Sequence, residues 1–328
     1  YKLSVAIKTY ALLNLCPDLV IITSFFEGYG SSCIVDLDRS FSLPPILSIF
    51  YDLIPLLNPE LYLHPNPHFR EFYYEKIKEI NMLDGLLCIS ESAALEAIQN
   101  LEISKENIVV ISSACEKKIF NISKKTLTNS KIDFDYLSMY ILYSGAGDPR
   151  KNIRNLIEAY SLLPPSLIVK YKLVLAGNLI NAELENISIW MNDFKLPREY
   201  VITLGFVSED ELVKLYQNCT VFVLPSFHEG FGLPILEAMS CGAPVIGSNT
   251  TSIPEVISNN EFLFNPYDVI NIRNMLEKIL TRPDLIDKNK LNSLKQSDKF
   301  SWELTAKKTC KFLDSTLSKN QPTINYDK

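Results

Sequence analysis

Short apolar runs recur along this chain with helical stretches between them, and that alternation limits its fold more than any other feature. The runs 19–25, 45–51, 85–89 and 108–111 occupy the first third; 139–143, 171–175, 201–204, 221–224 and 245–246 occupy the rest. An unbroken apolar run marks a strand covered on both faces, as in a parallel sheet. Between the runs, 67–83, the stretch capped by Ser90 or Ser92 and reaching 101, 152–163, 181–194, 208–217 and 234–240 carry helical patterns or caps. On 67–83, Phe69, Phe72, Tyr73, Ile77 and Ile80 share one face and read as core. Strand alternating with helix predicts an α/β chain of doubly wound parallel sheets.

At 328 residues the chain is long enough for two ordinary cores. The segment 121–135, rich in Asn, Ser, Thr and Lys, breaks the pattern and reads as a linker. The expected divisions are therefore a first domain over 1–120, a linker over 121–135, a second domain over 136–300, and a last helix and tail over 301–328. That last helix covers 301–313 with Trp302 as a packing anchor, and residues after Ser318 read as a frayed tail. The stretch 1–15 has the spacing of a helix whose partner strand is missing, and the chain opens on Tyr1 without a signal peptide, so the first domain reads as incomplete at its start.

Composition excludes several classes. With 47% hydrophobic and 21% charged residues the chain is neither disordered nor membrane-spanning. A formal charge of −6 offers no general field for nucleic acid, so any anion must be held by local groups. The seven cysteines are scattered without CxxC spacing, which reads as reduced thiols in a cytoplasmic protein. The three histidines, His64, His68 and His228, lack zinc spacing, and no metal site is expected. The sequons at Asn218 and Asn249 are short enough to arise by chance.

The most informative stretch is 225–244, PSFHEGFGLPILEAMSCGAP. A buried strand runs into a glycine-bearing loop and then a short helix, with Pro234 suited to its first turn and Gly242 to its C-terminal cap. Glu229 and Glu237 are separated by seven residues, a spacing that lets the first meet a ligand at the loop and the second meet further hydroxyls one turn on. The amides of Gly230, Phe231 and Gly232 sit where a helix start favours an anion. A strand-to-helix turn with two solvated glutamates fits the same spacing. Earlier, SGAGDPRKN over 144–152 places Arg150 and Lys151 between a strand and a helix, where they can reach an anion; a type I turn with solvated charges fits equally. Tyr51 and Asp52 end a strand, where ligands gather in open α/β sheets.

EGFGLPILEAMSCGAPVI resembles the signature of the retaining glycosyltransferases of family four, which have the GT-B fold. The resemblance implies two Rossmann-like domains facing a cleft, with the last helix crossing back to the first domain. It implies that Glu229 contacts the donor sugar, that Glu237 binds the ribose hydroxyls, and that Gly145, Gly230, Phe231, Gly232 and Leu233 line the donor site. Lys151 matches the family's diphosphate-binding lysine. The family's arginine after the loop glycine is replaced by Ala146, so Arg150 is the substitute. Many family members place a histidine before an aspartate at the end of a first-domain strand; Tyr51 stands there and Asp52 is kept. SFFEGYG over 24–30 echoes SFHEGFG over 226–232, which leaves Glu27 as an acceptor-side candidate.

The expected reaction is metal-independent, retaining transfer of a hexose from a nucleotide diphosphate sugar. YDLIPLL and PRKN look most like bacterial polysaccharide mannosyltransferases, which points to GDP-mannose as donor and to a saccharide or lipid-linked acceptor. No separate cofactor is expected. A peripheral membrane contact is left open, although no basic amphipathic helix stands out. The competing reading is a non-catalytic nucleotide-sugar binding or assembly module. A nicotinamide oxidoreductase would need a GxGxxG turn, which is absent.

Overall fold

The computed structural model describes residues 1–123 and 132–319, and the chain divides into two compact units. The first comprises Tyr1–Ser113 and Trp302–Lys328; the second comprises Ala114–Ser301. The division therefore falls ahead of the polar segment. Ala114, Cys115 and Phe120 are buried, the Cys115 sulfur lying 3.2 Å from the Ser240 hydroxyl and the Phe120 ring 6.3 Å from that of Tyr216. Most of the expected linker, 124–131, lies outside the described residues.

In the first unit β1 (Val20–Ile22), β2 (Ile46–Phe50), β3 (Gly85–Cys88) and β4 (Ile108–Val110) form a sheet in that order, every pair parallel. Ile46, Phe50, Leu53, Ile80, Leu86, Cys88 and Ala97 form its core. The helix Pro67–Ile80 starts where Asn66 accepts a hydrogen bond from the Phe69 amide and Pro67 supplies a helical φ. Strand β1 is shorter than the apolar run that predicts it. Phe25 leaves the ladder to be buried, and the Phe26 ring stacks on Tyr73 at 4.7 Å. Lys76 is also buried on the helix face, paired with Asp36; its charge gave no sequence signal of burial.

The last helix, Trp302–Lys319, packs beside β4. Thr305 donates to the Ser112 carbonyl at 3.0 Å, and the Phe312 ring lies so near Gly85 that a Cβ there would come within 3.1 Å of it. Trp302 is not the anchor: it is 51% exposed at the first turn, and the contact is made further along the helix. The tail after Ser318 lies almost entirely outside the described residues.

The second unit has β5 (Tyr140–Ser144), β6 (Lys172–Ala176), β7 (Val201–Gly205), β8 (Val221–Leu224), β9 (Val245–Ser248) and β10 (Leu263–Phe264), ordered β10-β9-β8-β5-β6-β7. Every pair is parallel. The chain builds outward from β5 to β7, then returns to β8 on the other side of β5. The loops leaving β5 and β8 therefore lie at the point where strand order reverses, the place where open α/β sheets hold ligands. β10 and the helix Ile253–Ile257 escaped the sequence reading because two and five residues are too few to show a period.

Candidate active site

The loops after β5 and β8 meet through their side chains. Lys151 lies on a short turn, Pro149–Lys151, whose start is capped by Asp148 accepting from the Arg150 amide at 2.9 Å. Asn152 follows in a left-handed conformation with φ of 60°. Its side-chain amide donates to the Pro225 carbonyl at 3.0 Å and the Pro266 carbonyl at 2.9 Å, locking the β5 loop to the β8 loop. The Phe227 amide donates back to the Arg150 carbonyl at 2.8 Å.

Glu229 sits at the centre. Lys151 Nζ donates to its Oε1 at 2.6 Å, Ser226 Oγ to the same oxygen at 2.6 Å, and Arg150 Nη1 to Oε2 at 2.9 Å. Arg150 also donates to the His228 carbonyl at 2.9 Å. The side chains of Glu229 and Lys151 are 8% and 11% exposed. Burial by itself pushes the Glu229 carboxyl up; Lys151 and Arg150 outweigh it and hold the group below the ordinary carboxylate range. The sequence reading gave Glu229 to the ligand and the two cations to an anion. In the structure the Glu229 carboxylate is paired with both cations in one largely buried cluster.

The backbone of that loop is pinned from β9 onward. Ser248 donates to the Ser226 carbonyl at 2.6 Å, Thr251 Oγ1 accepts from the Glu229 amide at 3.1 Å, and Ser252 donates to the Glu229 carbonyl at 2.9 Å. These hydroxyl residues were missed as positioning groups, although a run of Ser, Asn and Thr directly after a strand was visible. The chance sequon at Asn249 belongs to this run.

Gly232 precedes the helix Leu233–Ser240 with φ of 99°, a conformation an L side chain rarely adopts. Pro234 falls in the helix's first turn, and Gly242 closes its far end with φ of 80°. The Phe231 side chain is buried edge-on against Phe300 at 5.5 Å, so only its backbone is available to a ligand, whereas Leu233 is 40% exposed. One turn along the helix, Glu237 accepts a hydrogen bond from Tyr216 at 3.1 Å. Burial raises its carboxyl above the ordinary range, the Tyr216 bond opposing that rise. The Gly145 amide donates to the Ala176 carbonyl at 3.0 Å. A Cβ at Gly147 would run into the Glu183 carboxylate, which would have to swing aside.

The second unit thus brings together Gly145, Arg150, Lys151, Glu229 to Leu233 and Glu237. Asp52 belongs to the first unit, where it accepts from the Ile54 amide at 3.0 Å. Glu27 is likewise in the first unit and accepts from Ser24 at 2.8 Å. That bond repeats the Ser226–Glu229 arrangement without its cations.

Two Rossmann-like units, the second with loops converging at its switch point, are the architecture of GT-B glycosyltransferases. The fold of sucrose-phosphate synthase from Thermosynechococcus elongatus matches with a TM-score of 0.70 over 86% of this chain and 70% of that one, at 20% identity. A family model, Glycosyl transferases group 1, matches residues 125–297. The chain is 42% identical to the serotype-specific mannosyltransferase WbdA of Escherichia coli over 93% of its length, and 33% identical to O-antigen chain mannosyltransferase B of the same organism over 78% of this chain and 67% of that one. The chain belongs to the group 1 glycosyltransferases. It spans 38% of the length of the WbdA protein it matches.

Proposed function

We propose that the chain carries the active site of a mannosyltransferase of surface polysaccharide synthesis, taking mannose from GDP-mannose, or a hexose from another nucleotide diphosphate sugar, and passing it with retention to a saccharide or lipid-linked acceptor. The observation that carries this reading is the meeting of Lys151, Arg150 and Glu229 at the switch point of the second unit, one helix turn from Glu237. The likeness to the mannosyltransferase WbdA and to O-antigen chain mannosyltransferase B supports the choice of mannose.

In this reading Lys151 and Arg150 take the donor diphosphate, Glu237 the ribose hydroxyls, and the Gly230 to Gly232 backbone the sugar end. Glu229 holds the two cations in place and meets the sugar with whatever lone pairs they leave. Transfer on one face breaks the bond from the anomeric carbon to the phosphate oxygen as the acceptor oxygen bonds to the same carbon. The departing phosphate oxygen takes the acceptor proton, so no protein nucleophile and no metal is needed. The protein supplies orientation and charge stabilisation, the latter worth about a hundredfold to a thousandfold in rate per good donor. Asp52 is assigned to the acceptor side. A reaction on the cytoplasmic side, with or without peripheral membrane contact, is part of the proposal. No helix of the described residues is long and apolar enough to cross a membrane.

The test is transfer from labelled GDP-mannose to a mannose-terminated oligosaccharide, with the product's anomeric configuration read by NMR. A product of inverted configuration overturns the mechanism, and donor binding without transfer favours the binding-module reading.

A further inference from the structure

The helix Glu209–Asn218 begins with a Ser208 cap and presents Leu215 and Tyr216 to the core. Tyr216 is fully buried, its ring edge-on to Phe222 at 5.4 Å and to Phe120 at 6.3 Å. A phenol at that depth must pair its hydroxyl. It does so twice: with Ser144 Oγ at 2.7 Å and with Glu237 Oε2 at 3.1 Å. A hydroxyl has one proton. When Glu237 is ionised it can only accept, so Tyr216 donates to it and Ser144 must donate to Tyr216. Ser144 is the last residue of β5 and stands directly before Gly145. The directed chain therefore runs from the end of one central strand to the helix that follows its neighbour, across the switch point.

We propose that Tyr216 is a positioning residue for Glu237: the relay Ser144–Tyr216–Glu237 aims the carboxylate at the donor's ribose and ties that aim to the loop carrying Lys151. The proposal rests on the reading of Glu237 as the ribose-binding group. Tyr216 engages Oε2, and Glu237 is half-buried, so the carboxylate keeps further lone pairs for a vicinal diol. Sequence reading passed over Tyr216 because its helical spacing marks it only as core. Its ring satisfies the core, and a phenylalanine would do that equally; the hydroxyl is the part that has another use.

The titratable groups around Glu237 are Tyr216 and Glu209 on the Glu209–Asn218 helix, Cys115 from the segment before 121, and Cys241, which faces Tyr216. Burial and Glu209 favour the protonated acid, and the Tyr216 bond opposes them. Tyr216→Phe removes the opposing bond, so the carboxyl must titrate at higher pH. The midpoint reports whether this bond is made in solution; the comparison of nucleotides with and without ribose hydroxyls reports whether it aims the carboxylate.

The experiment follows the Glu237 carboxyl by carbon NMR through a pH titration in the wild type, Tyr216→Phe and Ser144→Ala. In parallel, calorimetry measures binding of GDP, UDP and ADP and of their counterparts lacking both ribose hydroxyls. The expected result is an upward shift of the midpoint in Tyr216→Phe, a smaller one in Ser144→Ala, and about a tenfold weaker affinity for whichever nucleotide the wild type binds, with the ribose-deficient counterpart unaffected. An unchanged midpoint overturns the proposal, as does equal weakening of both nucleotides. Glu237→Ala separates the two readings. If that variant binds nucleotide normally, the ribose assignment fails and the relay has nothing to aim. If it binds weakly while Tyr216→Phe binds normally, only the relay fails. Should Tyr216→Phe not fold, Ser144→Ala carries the same comparison with the phenol in place.

Discussion

At the scale of single residues, the buried cluster around Glu229 makes the sharpest predictions. Removing one partner of a buried ion pair leaves an uncompensated charge and costs about 3 kcal/mol or more. Glu229→Gln should lower stability by about that amount, read from denaturant midpoints. The pH dependence has a fixed sign: a carboxyl held below its unfolded value of 4.5 contributes stability above that value and loses it as pH falls through the depressed folded value. Glu229→Gln should therefore flatten the acid limb of the stability curve and leave its alkaline limb unchanged. In the first unit, the Tyr73 hydroxyl is buried without a partner of ordinary hydrogen-bond geometry among the described residues, although the Leu56 backbone lies near. Tyr73→Phe should leave stability unchanged or raise it by about 1 kcal/mol, since a buried group lacking a good bond is lost. A clear fall in melting temperature would contradict this.

At the scale of elements, what the sequence made legible was what repeats. Parallel strands and their helices follow from apolar runs, and the central strands β2, β3, β5 and β8 are buried throughout or nearly so, whereas the edge strands β1, β4 and β7 are apolar yet only part-buried. The loop between Pro225 and Gly232 was legible through its glycines and its glutamate. Its partners were not: Asn152, Ser226, Thr251 and Ser252 are common polar residues whose meaning comes only from strand order, which sequence spacing does not encode. The same holds for Glu183, whose carboxylate caps the start of its own helix by accepting from the Ile180 amide at 2.8 Å and also fills the space over Gly147. Gly147→Ala must push that flexible carboxylate aside and so loses the cap, costing about 1 kcal/mol. Glu183→Ala should cost a similar amount alone, and the double variant should cost little more than either single one. Full additivity in melting experiments would contradict the shared space.

For the whole molecule, the chain leaves the first unit at Ser113 and returns to it at Trp302. The returning helix supplies Phe312 beside Gly85 and Thr305 to the end of the segment after β4. A chain ending at Ser301 should therefore keep the nucleotide binding proposed for the second unit while the first unit melts earlier, visible as two separated calorimetric transitions. A single unshifted transition would show that the helix contributes nothing to the first core.

The cluster of Lys151, Arg150 and Glu229, with Asp148 3.6 Å from the Arg150 guanidinium, sums to two cations and two anions. The cradle is thus electrically quiet before any guest arrives, in a protein whose overall charge is already negative. A phosphate arriving there finds each cation already engaged by a carboxylate and has to share its remaining N–H groups. If this cluster is the proposed donor site, orthophosphate gains little from it, and affinity has to come from the parts of a guest other than its phosphate.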